Sequence, residues 1–380
     1  MIKVSIVDRT PHTRLNGVAR YMLGITSLND ENVDLRVLYW GRQQKAINWH
    51  RKFNPRDFHS KLNHFNRRFL RPLGQHIFKP DIVHYPYHYL PPNWAEGPGK
   101  KVVTVHGASA FSKDLFDLER GESIKHSLQA NLTSLDRIIT VSEWSKAELI
   151  KYFELPESRI TVIPNGVNLE DFSPKNNAET AQIIKQQYGL KEPYILNLGP
   201  GQPRKNIIRT VKGFAHLKNK LRHKPITKND LSDLKLVISG LPGQDTKKAK
   251  KLSYDLGIDK DVIWLNNVKD RYLPYLYSGA SLFLFPSLYE GFGIPLLESM
   301  ACNTPVVTSN TSAIPEVVGN AATLIDPLRE HDIGNACYQL LEDDTLYRSM
   351  QKKGLSRVRG YTWERCAQRH MALYREVASA

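Results

Sequence analysis

At 380 residues the chain exceeds what one hydrophobic core usually serves, so two domains are expected. Hydrophobic residues make up 41%, which speaks against extensive disorder, and no apolar run approaches the roughly 20 residues of a membrane span. The 53 Lys and Arg against 38 acids, net +15, call for an anionic partner: nucleic acid, an anionic lipid surface or a phosphorylated substrate.

The N-terminal MIKVSIVDRT enters a strand-like pattern directly and lacks the apolar core of a signal peptide. Cys302, Cys337 and Cys366 have no metal-ligand spacing and cannot all pair, so free thiols in a cytoplasmic protein are the expectation. Short β-branched runs then recur, each followed by a helix-length segment. In the first half they fall at 3–8, 35–40, 81–86, 101–106, 137–142 and 160–166; in the second at 194–199, 234–240, 262–267, 282–287, 305–310 and 322–327. Near-continuous apolar strands alternating with helices predict parallel sheets covered on both faces, an α/β fold of two doubly wound domains in tandem. The expected division is a first domain over 1–170, a polar linker over 171–190, a second domain over 191–358 and a terminal helix over 359–380. Trp363, Cys366, His370 and Leu373 or Tyr374 share one face of that helix, which is expected to pack back on the first domain. Ligands of open parallel sheets bind beyond the carboxyl ends of the strands, so a cleft between the domains is the expected site.

One first-domain stretch, 41–72, holds nine Lys or Arg against one acid, Asp57, with Phe58, Leu62, Phe65 and Phe69 on one helical face. That face either packs on the domain core beneath solvated cations, or docks on anionic lipid.

The stretch LFPSLYEGFGIPLLESMACNTPVVTSN, 284–310, runs from an apolar strand through a Gly-punctuated turn into a helix expected to begin at Pro295. Gly291 and Gly293 would let the backbone approach a ligand, and the N–H groups at the helix start suit phosphate. Glu290 and Glu298 bracket the turn, the second placed in the first helical turn. Carboxylates accept well from the hydroxyls of a ribose and a sugar ring. The turn therefore reads as a nucleotide-sugar cradle formed by Gly291, Phe292, Gly293, Ile294 and Glu298. The plainer alternative makes Glu298 a helix-supporting residue and Glu290 a solvated one.

Here the chain resembles the retaining glycosyltransferases of family 4, which carry a Glu-(seven residues)-Glu signature on the GT-B fold of two Rossmann-like domains. Other pieces fall in the same order: NGVARY at 16–21, TVH at 104–106, DRIITVSEWSKAEL at 136–149, VIPNGVN at 162–168 and LNLGPGQPRKN at 196–206. The resemblance implies that Lys205 and Arg204 neutralise the donor diphosphate as it leaves. It implies also that His106 contacts the donor sugar, that Gly17 lets a first-domain loop approach the diphosphate, and that Glu290 sits at the transferred sugar. Two departures stand out: Pro200 where many relatives have Arg, and Asn16 where they have Gly. A double displacement needs a carboxylate nucleophile, and no first-domain carboxylate occupies a matching position, so front-face transfer is expected. No cofactor or metal is expected, and the one Asp-x-Asp string, 259–261, reads as a surface turn.

The expected activity is transfer of a hexose, of mannose, glucose or N-acetylglucosamine type, from a UDP- or GDP-sugar to an acceptor hydroxyl in cell-envelope polysaccharide or glycolipid synthesis. The glycan or lipid-linked acceptor would be met in the cytoplasm or at the inner membrane face. Alternatives are a GT-B sugar epimerase or phosphorylase, whose additional carboxylates or cofactor lysine are not visible, and a basic nucleic-acid-binding protein. No zinc pattern, helix-turn-helix or RNA-binding aromatic signature supports the last, so no nucleic-acid partner is expected.

Overall fold

The computed structural model describes residues 1–7, 17–39, 42–45, 79–87, 90, 97–107, 118–191, 193–199, 201–226, 231–266 and 268–380. Asn16, Pro200 and, apart from 42–45, the basic segment 41–72 lie outside the described residues. The chain forms two units, Met1–Gly166 with Trp363–Ala380, and Val167–Thr362.

The first unit runs β1 (Ile2–Val7), α1 (Gly17–Ile25), β2 (Val33–Tyr39), β3 (Arg42–Lys45), β4 (Ile82–Tyr85), β5 (Lys100–Val105), α2 (Leu118–Asn131), β6 (Arg137–Thr140), α3 (Glu143–Phe153) and β7 (Ile160–Val162). Its sheet has the order β3-β2-β1-β4-β5-β6-β7. Every pairing is parallel except β2 with β3. β3 is the strand that the sequence reading lacked. Its residues, RQQK, show no apolar alternation, and an edge strand paired on one side only can be this polar. Helix α3 starts where the sequence offers a cap: Ser142 accepts from the Ser145 N–H, and Glu143 occupies the positive first turn.

The second unit runs α4 (Asn177–Tyr188), β8 (Tyr194–Leu198), α5 (Ile207–His223), β9 (Lys235–Ser239), α6 (Thr246–Asp255), β10 (Val262–Leu265), α7 (Leu273–Ser278), β11 (Leu282–Phe285), α8 (Ile294–Ala301), β12 (Val306–Ser309), α9 (Ile314–Val318), β13 (Thr323–Ile325), α10 (Glu330–Glu342) and α11 (Asp344–Val358). Its sheet is wholly parallel, in the order β10-β9-β8-β11-β12-β13. Ile195, Phe214, Leu236, Leu282 and Val307 anchor its core. Each such side chain contributes about 1.5–3 kcal/mol on burial. Strand order reverses between β8 and β11, so the loops after those two strands flank the crevice of the sheet.

The linker read from 171–190 is replaced by structure. The passage between units follows Gly166, and 177–188 form α4, capped by Asn176 and closed by Gly189 at φ 66°. A polar composition hid this helix because only Thr180 and Ile184 are buried on it. The returning chain leaves the second unit beside the entering one, with the Val167 N–H donating to the Tyr361 carbonyl at 2.9 Å.

The last helix, α12 (Trp363–Ser379), joins the first unit. Cys366, Met371, Leu373, Tyr374 and Val377 share a core with Val4, Tyr21, Met22 and Ile25. Gly24 lets it in close: a Cβ there would lie 2.1 Å from the Trp363 ring. All three cysteines are free and buried, and burial pushes each thiol up to about 12, so their role is packing. Among the described residues, no helix is long and apolar enough to cross a membrane.

Candidate active site

The loop leaving β8 carries Gly199 at φ 86°, then the short turn Pro203–Lys205, then Asn206 at φ 59°. Asn206 is a residue that tolerates this left-handed conformation, and its buried amide donates to the Pro286 carbonyl at 3.0 Å and the Pro327 carbonyl at 2.7 Å. The Leu288 N–H donates to the Arg204 carbonyl at 2.7 Å, so the loops after β8 and β11 are fastened together. A third loop touches the first backbone to backbone: a Cβ at Gly243 would lie 1.8 Å from the Gly201 carbonyl oxygen.

These ties bring Arg204, Lys205 and Glu290 into one cluster. Lys205 Nζ lies 2.7 Å from Glu290 Oε1, and Arg204 Nη1 lies 2.9 Å from Glu290 Oε2. Arg204 also donates to the Tyr289 carbonyl at 3.0 Å, while the Glu290 N–H donates to Ser312 Oγ at 3.0 Å. The Lys205 ammonium stands 4.3 Å from the centre of the Phe285 ring.

Burial alone would raise the Glu290 carboxyl. The Arg204 and Lys205 charges, with the hydrogen bond from Lys205, outweigh it and bring the group to about 2. Burial is also the largest cause of the Lys205 shift, to about 8; Glu290 opposes it and the like charge of Arg204 adds to it. Two cations and one anion leave a net single positive charge in a nearly enclosed place. That arrangement suits an anion, whose negative charge would match the positive charge that Glu290 leaves over.

Helix α8 begins directly after this cluster. Gly293 takes φ 100° at its N-cap, no side chain caps the helix, and Pro295 stands in its first turn. The helix starts at Ile294, one residue before the expected Pro295. Glu298 therefore lies beyond the first turn, which contains no acid, so the expected placement of Glu298 in that turn is corrected. Its carboxylate is 1% exposed, and Oε2 accepts from the Tyr277 hydroxyl at 3.0 Å. Phe292 packs its ring against Tyr361, with centroids 5.8 Å apart, and Ile294 is buried, so these two positions can offer a ligand only backbone. Gly291 is half-buried beside them.

In the first unit, His106 follows β5 and is half-buried. Its Nε2–H donates to the Pro86 carbonyl at 3.0 Å, which makes Nδ1 the acceptor nitrogen of the neutral ring. The Tyr21 ring meets it edge to face, 4.7 Å between centroids. Gly17 opens α1, and an added Cβ there would touch nothing within 4 Å, so packing does not explain this glycine.

The Asp-x-Asp string is a short turn, Asp259–Asp261, ahead of β10. Asp261 is held by Lys235 at 2.7 Å and Lys218 at 3.3 Å, a charge clamp at the opposite end of the strand from the cluster. Sequence reasoning missed Asn206, Ser312, Tyr277 and Gly243. Only Asn206 left a signal, as a left-handed-tolerant residue after a basic pair and before a helix.

Residues 15–171 match Glycosyltransferase Family 4, and residues 180–357 match Glycosyl transferases group 1. The O-antigen chain mannosyltransferase B of Escherichia coli is 31% identical over 313 residues, covering 81% of this chain and 78% of the relative. Two solved structures share the fold. A sucrose-phosphate synthase from Thermosynechococcus elongatus gives a TM-score of 0.77 at 19% identity, covering 100% of each chain. The Anabaena HepE protein in complex with UDP and glucose gives 0.72 at 15% identity, covering 99% of this chain and 100% of its own. With two Rossmann-like sheets and the Glu290–Glu298 turn at the crevice of the second, the chain belongs to the family 4, group 1 glycosyltransferases of GT-B fold.

Proposed function

We propose that this glycosyltransferase moves a hexosyl group, mannosyl first among the candidates, from a nucleoside diphosphate sugar to a glycan hydroxyl in polysaccharide assembly, with retention of configuration. The observation that carries the reading is the cationic Arg204–Glu290–Lys205 cluster beside an uncapped helix start at the crevice of the second sheet. The O-antigen mannosyltransferase supports mannose and a polysaccharide product, and the UDP-bound Anabaena protein supports a nucleotide donor.

In this reading Arg204 and Lys205 turn from Glu290 to the diphosphate and stabilise the charge that builds as the glycosidic bond breaks. The amides of Gly291 and Gly293 and the start of α8 receive phosphate oxygens, with Gly17 allowing a further backbone approach. Glu290 and His106 serve the transferred sugar, and Glu298 the ribose. With no nucleophilic carboxylate assigned, the acceptor oxygen attacks on the face the diphosphate leaves. The acceptor proton passes to a departing phosphate oxygen, so atoms and charge balance without an added base. Two cations at the diphosphate would supply the charge neutralisation that a divalent ion otherwise gives, so the reaction is proposed to be metal-independent.

A donor-hydrolysis screen of GDP-mannose, UDP-glucose and UDP-N-acetylglucosamine, with and without EDTA, tests this. One donor turned over equally in both conditions, giving a retained anomer by proton NMR, is expected. An inverted anomer, or silence with all three donors, overturns the reading. The basic segment 41–72 is proposed to bring the enzyme to anionic lipid, each cation contributing about 1 kcal/mol near such a surface. Loss of vesicle co-sedimentation on reversing Arg67, Arg68 and Arg71 to Glu is expected, and unchanged sedimentation refutes it.

A further inference from the structure

Five polar side chains from four elements are joined inside the first unit, and the reaction as described uses none of them. Tyr374 and His370 come from α12, His84 from β4, Thr104 from β5 and Tyr21 from α1; all five are fully buried. The contacts are Tyr374 Oη to His84 Nδ1 at 2.6 Å, His84 Nε2 to Thr104 Oγ1 at 2.7 Å, Thr104 Oγ1 to Tyr21 Oη at 2.7 Å, and Tyr21 Oη to His370 Nε2 at 2.7 Å. The fifth contact, His370 Nδ1 to the Cys366 carbonyl at 2.8 Å, decides the rest.

A carbonyl can only accept, so His370 Nδ1 carries the proton, and in the neutral ring Nε2 is the acceptor. Tyr21 must then donate to His370. Its single proton is committed, so Thr104 must donate to Tyr21. Thr104 in turn must accept from His84 Nε2–H, which leaves His84 Nδ1 to accept from Tyr374. With His370 neutral, any other assignment leaves one of these buried contacts of 2.7 Å with no hydrogen in it. Both imidazoles are neutral on this account, and the surroundings agree. Burial drives His84 well below its ordinary value, as does the repulsion it would meet from a protonated His370 or His106, and burial takes His370 to about 4 against the support of the Cys366 carbonyl.

We propose that Tyr21 is a positioning residue for His106, held by a one-way hydrogen-bond chain that the C-terminal helix anchors. The Tyr21 ring is fixed at its base by α1 and at its hydroxyl by Thr104 and His370. Its edge meets the His106 ring at 85°, while the Pro86 carbonyl holds the other side of that ring at Nε2. Helix α12 is thus a working part of the first unit and not only a cover for its core. The inference rests on the reading that His106 acts on the donor sugar.

Long-range proton–nitrogen NMR of the histidines in the full-length protein tests the chain without reference to activity. His84 is expected as the Nε2–H tautomer and His370 as Nδ1–H. In Tyr21→Phe the Thr104 hydroxyl loses its acceptor and turns to His84, which should switch to Nδ1–H and donate to Tyr374. In hydrolysis of the donor that the screen selects, Tyr21→Phe and His370→Leu should lower kcat about tenfold with donor KM unchanged, because only the orientation of a reacting group is lost. His370→Gln keeps an acceptor for Tyr21 and should restore kcat. His106→Asn, measured alongside, should lose turnover. Wild-type His84 found as Nδ1–H overturns the chain. Wild-type kcat in Tyr21→Phe and His370→Leu beside an inactive His106→Asn overturns the positioning alone. Full turnover in His106→Asn overturns the reading of His106 and the positioning role with it.

Discussion

Raising the pH from 7 to 9.5 perturbs Lys205 without touching the covalent structure. Burial brings this lysine to about 8 in the free chain, so its charge is lost as pH climbs through that value. A diphosphate in contact with the ammonium favours the charged form, so the complex keeps the proton to higher pH. Above pH 8 each binding event must therefore take up a proton, and affinity falls by up to tenfold per pH unit. At pH 9 about one lysine in ten is charged, a loss of about 1.4 kcal/mol relative to neutral pH. The diphosphate is already fully ionised across this range and contributes no step of its own. Calorimetric titration of UDP and GDP in two buffers of different ionisation heat measures affinity and proton uptake together. Lys205→Arg, whose charge does not titrate here, should flatten the profile. A wild-type affinity that stays level from pH 7 to 9.5 without proton uptake would refute the placement of Lys205 at the diphosphate.

Glu290→Gln removes the anion that holds both cations; turnover of the donor should fall at least about a hundredfold while the Kd for UDP or GDP stays within about threefold. Equal losses in both would reject a role for Glu290 at the sugar. The same carboxylate links folding to acid, because its folded value of about 2 lies below the ordinary 4.5. Its contribution, about 3 kcal/mol, is complete above pH 4.5 and lost as pH falls towards 2, so urea unfolding of Glu290→Gln should show a shallower loss of stability across that window. Glu298→Ala removes the carboxylate that accepts from the buried Tyr277 hydroxyl and should cost about 1–3 kcal/mol in thermal unfolding. Tyr277→Phe combined with it should add little, and a fully additive double variant would deny the pairing. Gly243→Ala forces the loop after β9 off Gly201 and should weaken nucleotide binding about tenfold by calorimetry. Unchanged binding would show that the loop after β8 tolerates the shift.

Much of the fold was legible because parallel strands buried on both faces must be apolar throughout, and twelve such runs, each leading into a helix-length segment, can form little else. The Gly-rich turn was legible for a related reason: Gly293 sits at φ 100°, which side chains avoid, directly before a helix. Polar elements escaped this logic. Strand β3 has the wholly polar sequence RQQK and helix α4 carries few buried residues, so no apolar periodicity marked them. The sequence named Arg204, Lys205 and Glu290 separately, but nothing in it says that residues 85 positions apart would neutralise one another at 2.7 Å. Nor does it show His370 meeting Tyr21 from 349 positions away, or Glu298 closed in beneath Tyr277. Local pattern reports what a segment must do to its own backbone and faces. Charge pairing, proton order and burial of single polar groups depend on which distant segments arrive beside them, and that is decided only when the sheets assemble.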